Sequence, residues 1–222
     1  MRGDRIKLRS FYTDPALSKA EIKSILQYPH LKDRERSFFR ALYETWARPN
    51  ELVMADIEYY DRNTGILILV HTKRKYNPSS GKTIQEPPKR PVISETTQRL
   101  LKSVIGNRKR GPIWITSTGK RVRLNHLARV LNDVALKLGI QADIKAVDDK
   151  RIGGQRVYHR VTLKCFREAG ERHHDLGGGD SELSAKAAQH SMKIKEKHYK
   201  KAVWEEIQES QKKNHPAFTG EI

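Results

Sequence analysis

The chain holds a single cysteine, Cys165. No disulfide can form within it, and a zinc site built from several thiolates is excluded. Long apolar runs are missing too: none approaches the roughly 18 residues that a membrane-crossing helix needs, and no signal-peptide pattern lies near Met1. An intracellular setting with no membrane role is the expectation. Gly177-Gly178-Gly179 is not followed by Gly-Lys-Ser/Thr, so it is a loop and not a phosphate-cradling P-loop. No internal repeat is visible. The carboxylates do not gather in a metal-ligand pattern, which counts against a metal-dependent nuclease, and no cofactor or metal is expected. Apolar residues make up 36% of the chain, a low share, but they cluster in periodic segments that predict a folded core under a polar surface.

Negative charge is also in short supply. Asp and Glu total 26 against 44 Lys and Arg, a formal charge of +18. That imbalance is the footprint of a nucleic-acid partner, and double-stranded DNA is the expected one.

Residues 1–13 are basic and aperiodic and read as a linker or the end of a further domain. Ser18-Lys19-Ala20-Glu21 forms a capping box, with Ile22, Ile25 and Leu26 following at helical spacing. A second helix is predicted from Asp33 to Trp46, with Phe38, Phe39, Leu42, Tyr43 and Trp46 on its apolar face. Pro49 cannot continue it but suits the first turn of a new helix, which leaves Arg48 at a helix N-terminus, a place that favours anions. Segments 56–60, 66–72 and 90–94 read as three strands with a long polar loop, 73–88, between the second and third; Pro91 argues for an edge. Further helices are predicted around Leu100–Ile105, from Asn125 to Leu138, from Thr162 through Arg167, from Ser181 to Ala188, and over 200–210. The last dozen residues are polar and predicted to fray. The fold class is therefore mainly α with a small antiparallel β-sheet, α+β.

The chemistry gathers in residues dispersed along this order. Gln189 to Tyr199 holds His190 and Tyr199 with three lysines between them. Upstream lie Arg167, with Lys164 one turn earlier, and far upstream Arg48. At that spacing Lys164 and Arg167 share a helix face and repel unless an anion sits between them. Two arginines offer forked donors to phosphate oxygens, which is help aimed where charge develops during attack on a phosphodiester. A phenol, with a pKa near 10, needs a base or nearby cations before it attacks. The leaving alkoxide needs a general acid, and a lysine on a hairpin can supply it. Such a set opens a phosphodiester without metal, and a covalent tyrosine link conserves the bond energy for rejoining.

In these motifs the chain resembles the catalytic domain of the tyrosine recombinase (phage integrase) family. Arg48-Pro49-Asn50-Glu51-Leu52 is similar to the first box, Val161 to Arg167 to the second, and Gln189 to Tyr199 to the third; the resemblance covers about residues 14–205, with 206–222 as a tail. It implies the fold of that family and of type IB topoisomerases. It implies that Arg48 and Arg167 grip the scissile phosphate and that Lys73 is the general acid, with Lys75 and Lys82 as competitors on the same loop. His190 would hydrogen-bond the phosphate, and Tyr199 would be the nucleophile that forms a 3′-phosphotyrosine. The second box departs from the family's usual histidine: Lys164 stands there, a Lys-x-x-Arg form that resembles archaeal virus and plasmid integrases, and a phosphate-binding role suits it. Gln189 stands where glycine is usual, and His159 is set aside as structural. The implied activity is site-specific recombination of DNA within a dimer or tetramer. The rivals are a type IB topoisomerase-like enzyme and an inactive basic DNA-binding protein.

Overall fold

The computed structural model describes residues 17–70, 75–77, 82–84, 88–140, 145–149, 154–158, 160–188 and 204–222. Its first helix, α1 (Lys19–Leu26), opens on the capping box anticipated from the sequence: Ser18 Oγ accepts from the Glu21 amide at 3.2 Å and Glu21 Oε2 accepts from the Ser18 amide at 2.8 Å. Ile22, Ile25 and Leu26 go into the core. The second, α2 (Asp33–Thr45), is the central post. Its phenylalanines are fully buried, and the Phe38 ring meets Trp114 edge-on at 5.2 Å. Trp46 ends it in a left-handed conformation, φ 50°, and Pro49 starts α3 (Pro49–Val53) with Arg48 as its N-cap.

The expectation of an α+β fold with a small antiparallel sheet over 56–94 is corrected here. Among the residues whose side chains are described, no strand forms. Ile57–Tyr59 is a 3-10 turn, and the flanking segments meet only in isolated antiparallel bridges, Tyr60 with Leu67, Ile66 with Val92 and Leu69 with Lys89. Pro91 has no N–H to give, so it accepts from the Leu67 amide at 2.9 Å and returns nothing; the ladder loses a bond there, and the pairing stays at the level of bridges. Among the described residues, extended pairing is confined to two two-stranded hairpins, β1 (Lys75–Asn77) with β2 (Lys82–Ile84), and β3 (Lys145–Asp149) with β4 (Gly154–Tyr158). The fold is mostly helical.

Between and after the hairpins come α4 (Glu95–Ile105), α5 (Leu124–Lys137), α6 (Leu163–Leu176), α7 (Ser181–Ala188), α8 (Trp204–Asn214) and α9 (Pro216–Thr219). Ser94 caps α4 and also binds buried Glu44, which accepts from the Ser94 amide, Ser94 Oγ and Thr97 Oγ1 at 2.8–2.9 Å, with Arg40 at 3.4 Å. Burial holds that carboxyl above its ordinary range. The helix read from Asn125 starts instead at Leu124, behind Arg123, and buries Leu127, Leu131, Val134 and Ala135. Helix α6 packs on α2 so closely that a Cβ at Gly170 would stand 1.9 Å from the Tyr43 carbonyl oxygen. Only glycine allows that contact.

The predicted fraying of the C-terminus is also corrected. Ile207, Gln211, His215 and Ala217 are buried, and the Arg40 guanidinium donates to the Ile222 carbonyl at 3.3 Å. The polar residues there are spent on specific partners: Gln211 Nε2 donates to the Glu44 carbonyl at 2.9 Å, and His215 Nε2 meets the Tyr43 carbonyl at 3.2 Å.

Candidate active site

Arg48 and Arg167, remote in sequence, are brought within electrostatic reach of each other. Arg48 enters as the N-cap of α3, fixed by the prolyl residue that follows it. Glu51, one turn on, reaches back: its Oε2 accepts from the Arg48 amide at 3.0 Å and its Oε1 from Arg48 Nη1 at 2.6 Å. Arg167 comes from α6 and is 6% exposed. Its pKa is depressed, first by burial and then by the charge of Arg48, with Glu171, Glu51 and Glu168 acting in the opposite sense. The two guanidiniums therefore lie within electrostatic reach of each other and of Glu51.

A third cation belongs to this cluster, and sequence reasoning missed it. Lys89 is fully buried and donates to Glu51 Oε2 at 3.0 Å. Burial drives its ammonium down to about 8, resisted by Glu51 and reinforced by Arg167 and Arg48. Burial works to raise the Glu51 carboxyl, but Lys89 and Arg48 outweigh it and hold the group at about 2. No local signal marks it: Lys89 sits in the polar run Pro87-Pro88-Lys89-Arg90-Pro91, and its burial depends on a carboxylate from another segment, Glu51.

Lys164 takes a different position. Its side chain is 59% exposed and pairs along the helix with Glu168 at 2.7 Å. The repulsion expected between it and Arg167 is relieved by that carboxylate and by the burial of Arg167. Lys73, His190 and Tyr199 lie outside the described residues, as does His159. Lys75 and Lys82 open the strands β1 and β2.

The helices on either side of the stretch carrying His190 and Tyr199 are described. Helix α7 precedes it and α8 follows it, and both dock on the same side chain: Ala187 and Ile207 are buried against Trp46, with Leu183 packed alongside. Trp46 is two residues from Arg48. Gln208 Nε2 of α8 also donates to the Arg90 carbonyl at 2.6 Å, beside Lys89. Beneath these anchors lies a packed aromatic and histidine layer. The Trp46 ring is 4.9 Å from His174, Tyr43 is 4.6 Å from His215, and the Tyr43 hydroxyl bonds His173 Nδ1 at 2.9 Å. Burial depresses His173 to about 4 and His215 to about 3. These rings are structural supports.

Among the described residues, no group of His, Cys, Asp and Glu could hold a metal ion, and no helix is long and apolar enough to cross a membrane.

No protein-family model matches the chain, and no curated protein matches it in sequence. Solved structures do match in fold. XerA recombinase superposes with a TM-score of 0.62 at 16% identity, covering 89% of this chain and 64% of that one. The Tn1549 transposon integrase in complex with transposon right-end DNA gives 0.60 at 14% identity, covering 88% of this chain and 64% of its own. The integrase from mycobacterium phage Brujita gives 0.56 at 12% identity, covering 92% and 59%. The chain thus spans less than two thirds of the length of each. In fold, the chain matches the tyrosine recombinase catalytic domains of these recombinases and integrases.

Proposed function

We propose that this protein breaks and rejoins DNA strands as a site-specific recombinase or integrase, through a 3′-phosphotyrosine intermediate. The observation that carries the reading is that Arg48 and Arg167, remote in sequence, lie within electrostatic reach of each other and of Glu51, which bonds Arg48, while Ala187 and Ile207, from the helices before and after the segment bearing His190 and Tyr199, pack on nearby Trp46. Burial and the charge of Arg48 depress Arg167, and a phosphodiester bound there relieves that repulsion. Arg48 and Arg167 bind its non-bridging oxygens and stabilise the second negative charge that attack creates. Tyr199 attacks, its phenolate favoured by those cations. His190 hydrogen-bonds the phosphate. Lys73, on the loop that the Leu69–Lys89 bridge closes, protonates the leaving 5′ oxygen; Lys75 and Lys82 are its competitors. Lys164, exposed and paired along its helix with Glu168, contacts flanking DNA phosphate.

Residues 14–205 form the catalytic unit in this reading, with 206–222 docked on it. The partner in this reading is double-stranded DNA, bound by self-associating copies inside a cell, and the Lys-x-x-Arg form of the second box is what supports a likeness to integrases of archaeal viruses and plasmids. The neighbouring structures include an integrase bound to transposon DNA, which supports a DNA substrate.

The test is covalent trapping. The protein is incubated, with and without chelator, with a pool of duplexes randomised around a nick that lets the cleaved fragment diffuse away. A DNA–protein adduct stable in detergent and insensitive to chelator is expected. Binding without adduct at any sequence would leave only a basic DNA-binding protein, and chelator-sensitive cutting would indicate a metal-dependent nuclease.

A further inference from the structure

Lys89 stands at the junction of three parts of the site. Its ammonium bonds Glu51, which in turn holds both the backbone and the guanidinium of Arg48. Its backbone exchanges two hydrogen bonds with Leu69, N to O at 3.0 Å and O from N at 2.9 Å, which closes the base of the loop that bears Lys73. The next carbonyl, that of Arg90, accepts from Gln208 on α8, the helix that follows Tyr199. With no exposed surface, Lys89 cannot touch DNA.

We infer that Lys89 is a positioning residue that fixes the Arg48 guanidinium through Glu51, and the base of the Lys73 loop through its own backbone, in register with each other. This rests on the reading of Arg48 as a phosphate-binding group. A buried carboxylate shared by two cations stays ionised and keeps each donor in one orientation. Without the ammonium, Glu51 remains buried with one direct cation partner fewer, so protonation becomes easier and Arg48 loses its anchor as pH falls. The charged groups around Glu51 are Arg48 on its own helix, Lys89 across from it, and Arg167 from α6, itself beside Glu168 and Glu171.

The test uses the full chain and the variants K89M and K89R. The Glu51 carboxyl carbon is followed by NMR through a pH titration, and adduct formation is timed on the nicked duplex pool with ordinary and with 5′-bridging sulfur linkages. In K89M the Glu51 titration is expected to move to higher pH. Adduct formation slows about a hundredfold at the acid end, the scale of a slight misplacement of a reacting group, and recovers as pH rises. Sulfur does not rescue it, because Lys89 is not the proton donor. K89R keeps the wild-type profile. A loss of adduct that is uniform with pH, or a K89M profile equal to wild type, overturns the inference.

Should K89M fail to fold, E51Q and the double variant K89M/E51Q replace it. Because Lys89 acts through Glu51, adding K89M to E51Q is expected to cost little more, whereas an independent role would make the two losses multiply. A shifted Glu51 titration together with no adduct from the wild type would leave the network standing and overturn the recombinase reading instead.

Discussion

Glu51 illustrates how one side chain sets the chemistry of its neighbours. Burial alone would push its carboxyl up, yet two cations hold it near 2, so it stays charged and keeps Arg48 in place through any practical assay pH. Lys73 is the residue whose proposed role is most easily separated from binding. Lys73→Ala is expected to abolish adduct on ordinary duplex while leaving DNA affinity nearly unchanged. A 5′-bridging sulfur, which leaves without a proton, restores the adduct. If sulfur fails to restore it, the acid is Lys75 or Lys82. The importance of Arg48 was legible because Pro49 and Glu51 mark a helix start around it. Lys89 was not, since burial of a lysine depends on a carboxylate from another segment, and sequence alone does not show that pairing.

At the scale of elements, capping and periodicity were readable and strand pairing was not. The box at Ser18 and Glu21 and the apolar face of α2 follow local rules. Segments 56–60, 66–72 and 90–94 look like strands by composition, but pairing depends on partners, and Pro91 interrupts theirs. The contact of α2 with α6 was invisible as well, since nothing local marks Gly170 as a crossing point. Gly170→Ala is expected to cost about 1–3 kcal/mol of stability, as overpacking does, because its Cβ would meet backbone that cannot swing away. Denaturant unfolding measures this, and a wild-type midpoint would contradict the close packing. The histidine layer predicts the acid behaviour of the same region. Folded His173 and His215 take a proton only near pH 4 and 3, against 6.5 ordinarily, so below about 6.5 the unfolded chain binds more protons. Their contribution is complete above that value and is lost as pH falls. Around them lie Tyr43, His174, Lys19, Arg172, Arg40 and Glu221. Glu44, whose carboxyl is raised, opposes the slope, one group against two. The urea midpoint is expected to drop between pH 7 and pH 5; a midpoint that rises on acidification would contradict the neutral histidines.

For the whole molecule, the surplus of positive charge and the fold point to the same partner. Each phosphate neutralised releases counterions, so log affinity for DNA falls by about 0.9 per contact for each tenfold rise in salt. With +18 formal charge, a steep slope is expected in a titration of binding against salt, and a slope worth only one or two contacts would contradict a broad basic footprint. The C-terminal segment, read from sequence as frayed, completes the core because its polar side chains find partners contributed by α2, a long-range event without a local signature. The central claim is that this architecture delivers the Tyr199 oxygen to a phosphate held by Arg48 and Arg167. Its most direct measurement compares wild type with Tyr199→Phe on the nicked duplex pool, with the adducted residue mapped by mass spectrometry. The wild type is expected to carry DNA on Tyr199, while the phenylalanine variant binds DNA as tightly, within the about 0.5–1.5 kcal/mol of one hydrogen bond, and forms no adduct. Adduct from Tyr199→Phe, or a modification mapped to another residue, would contradict it.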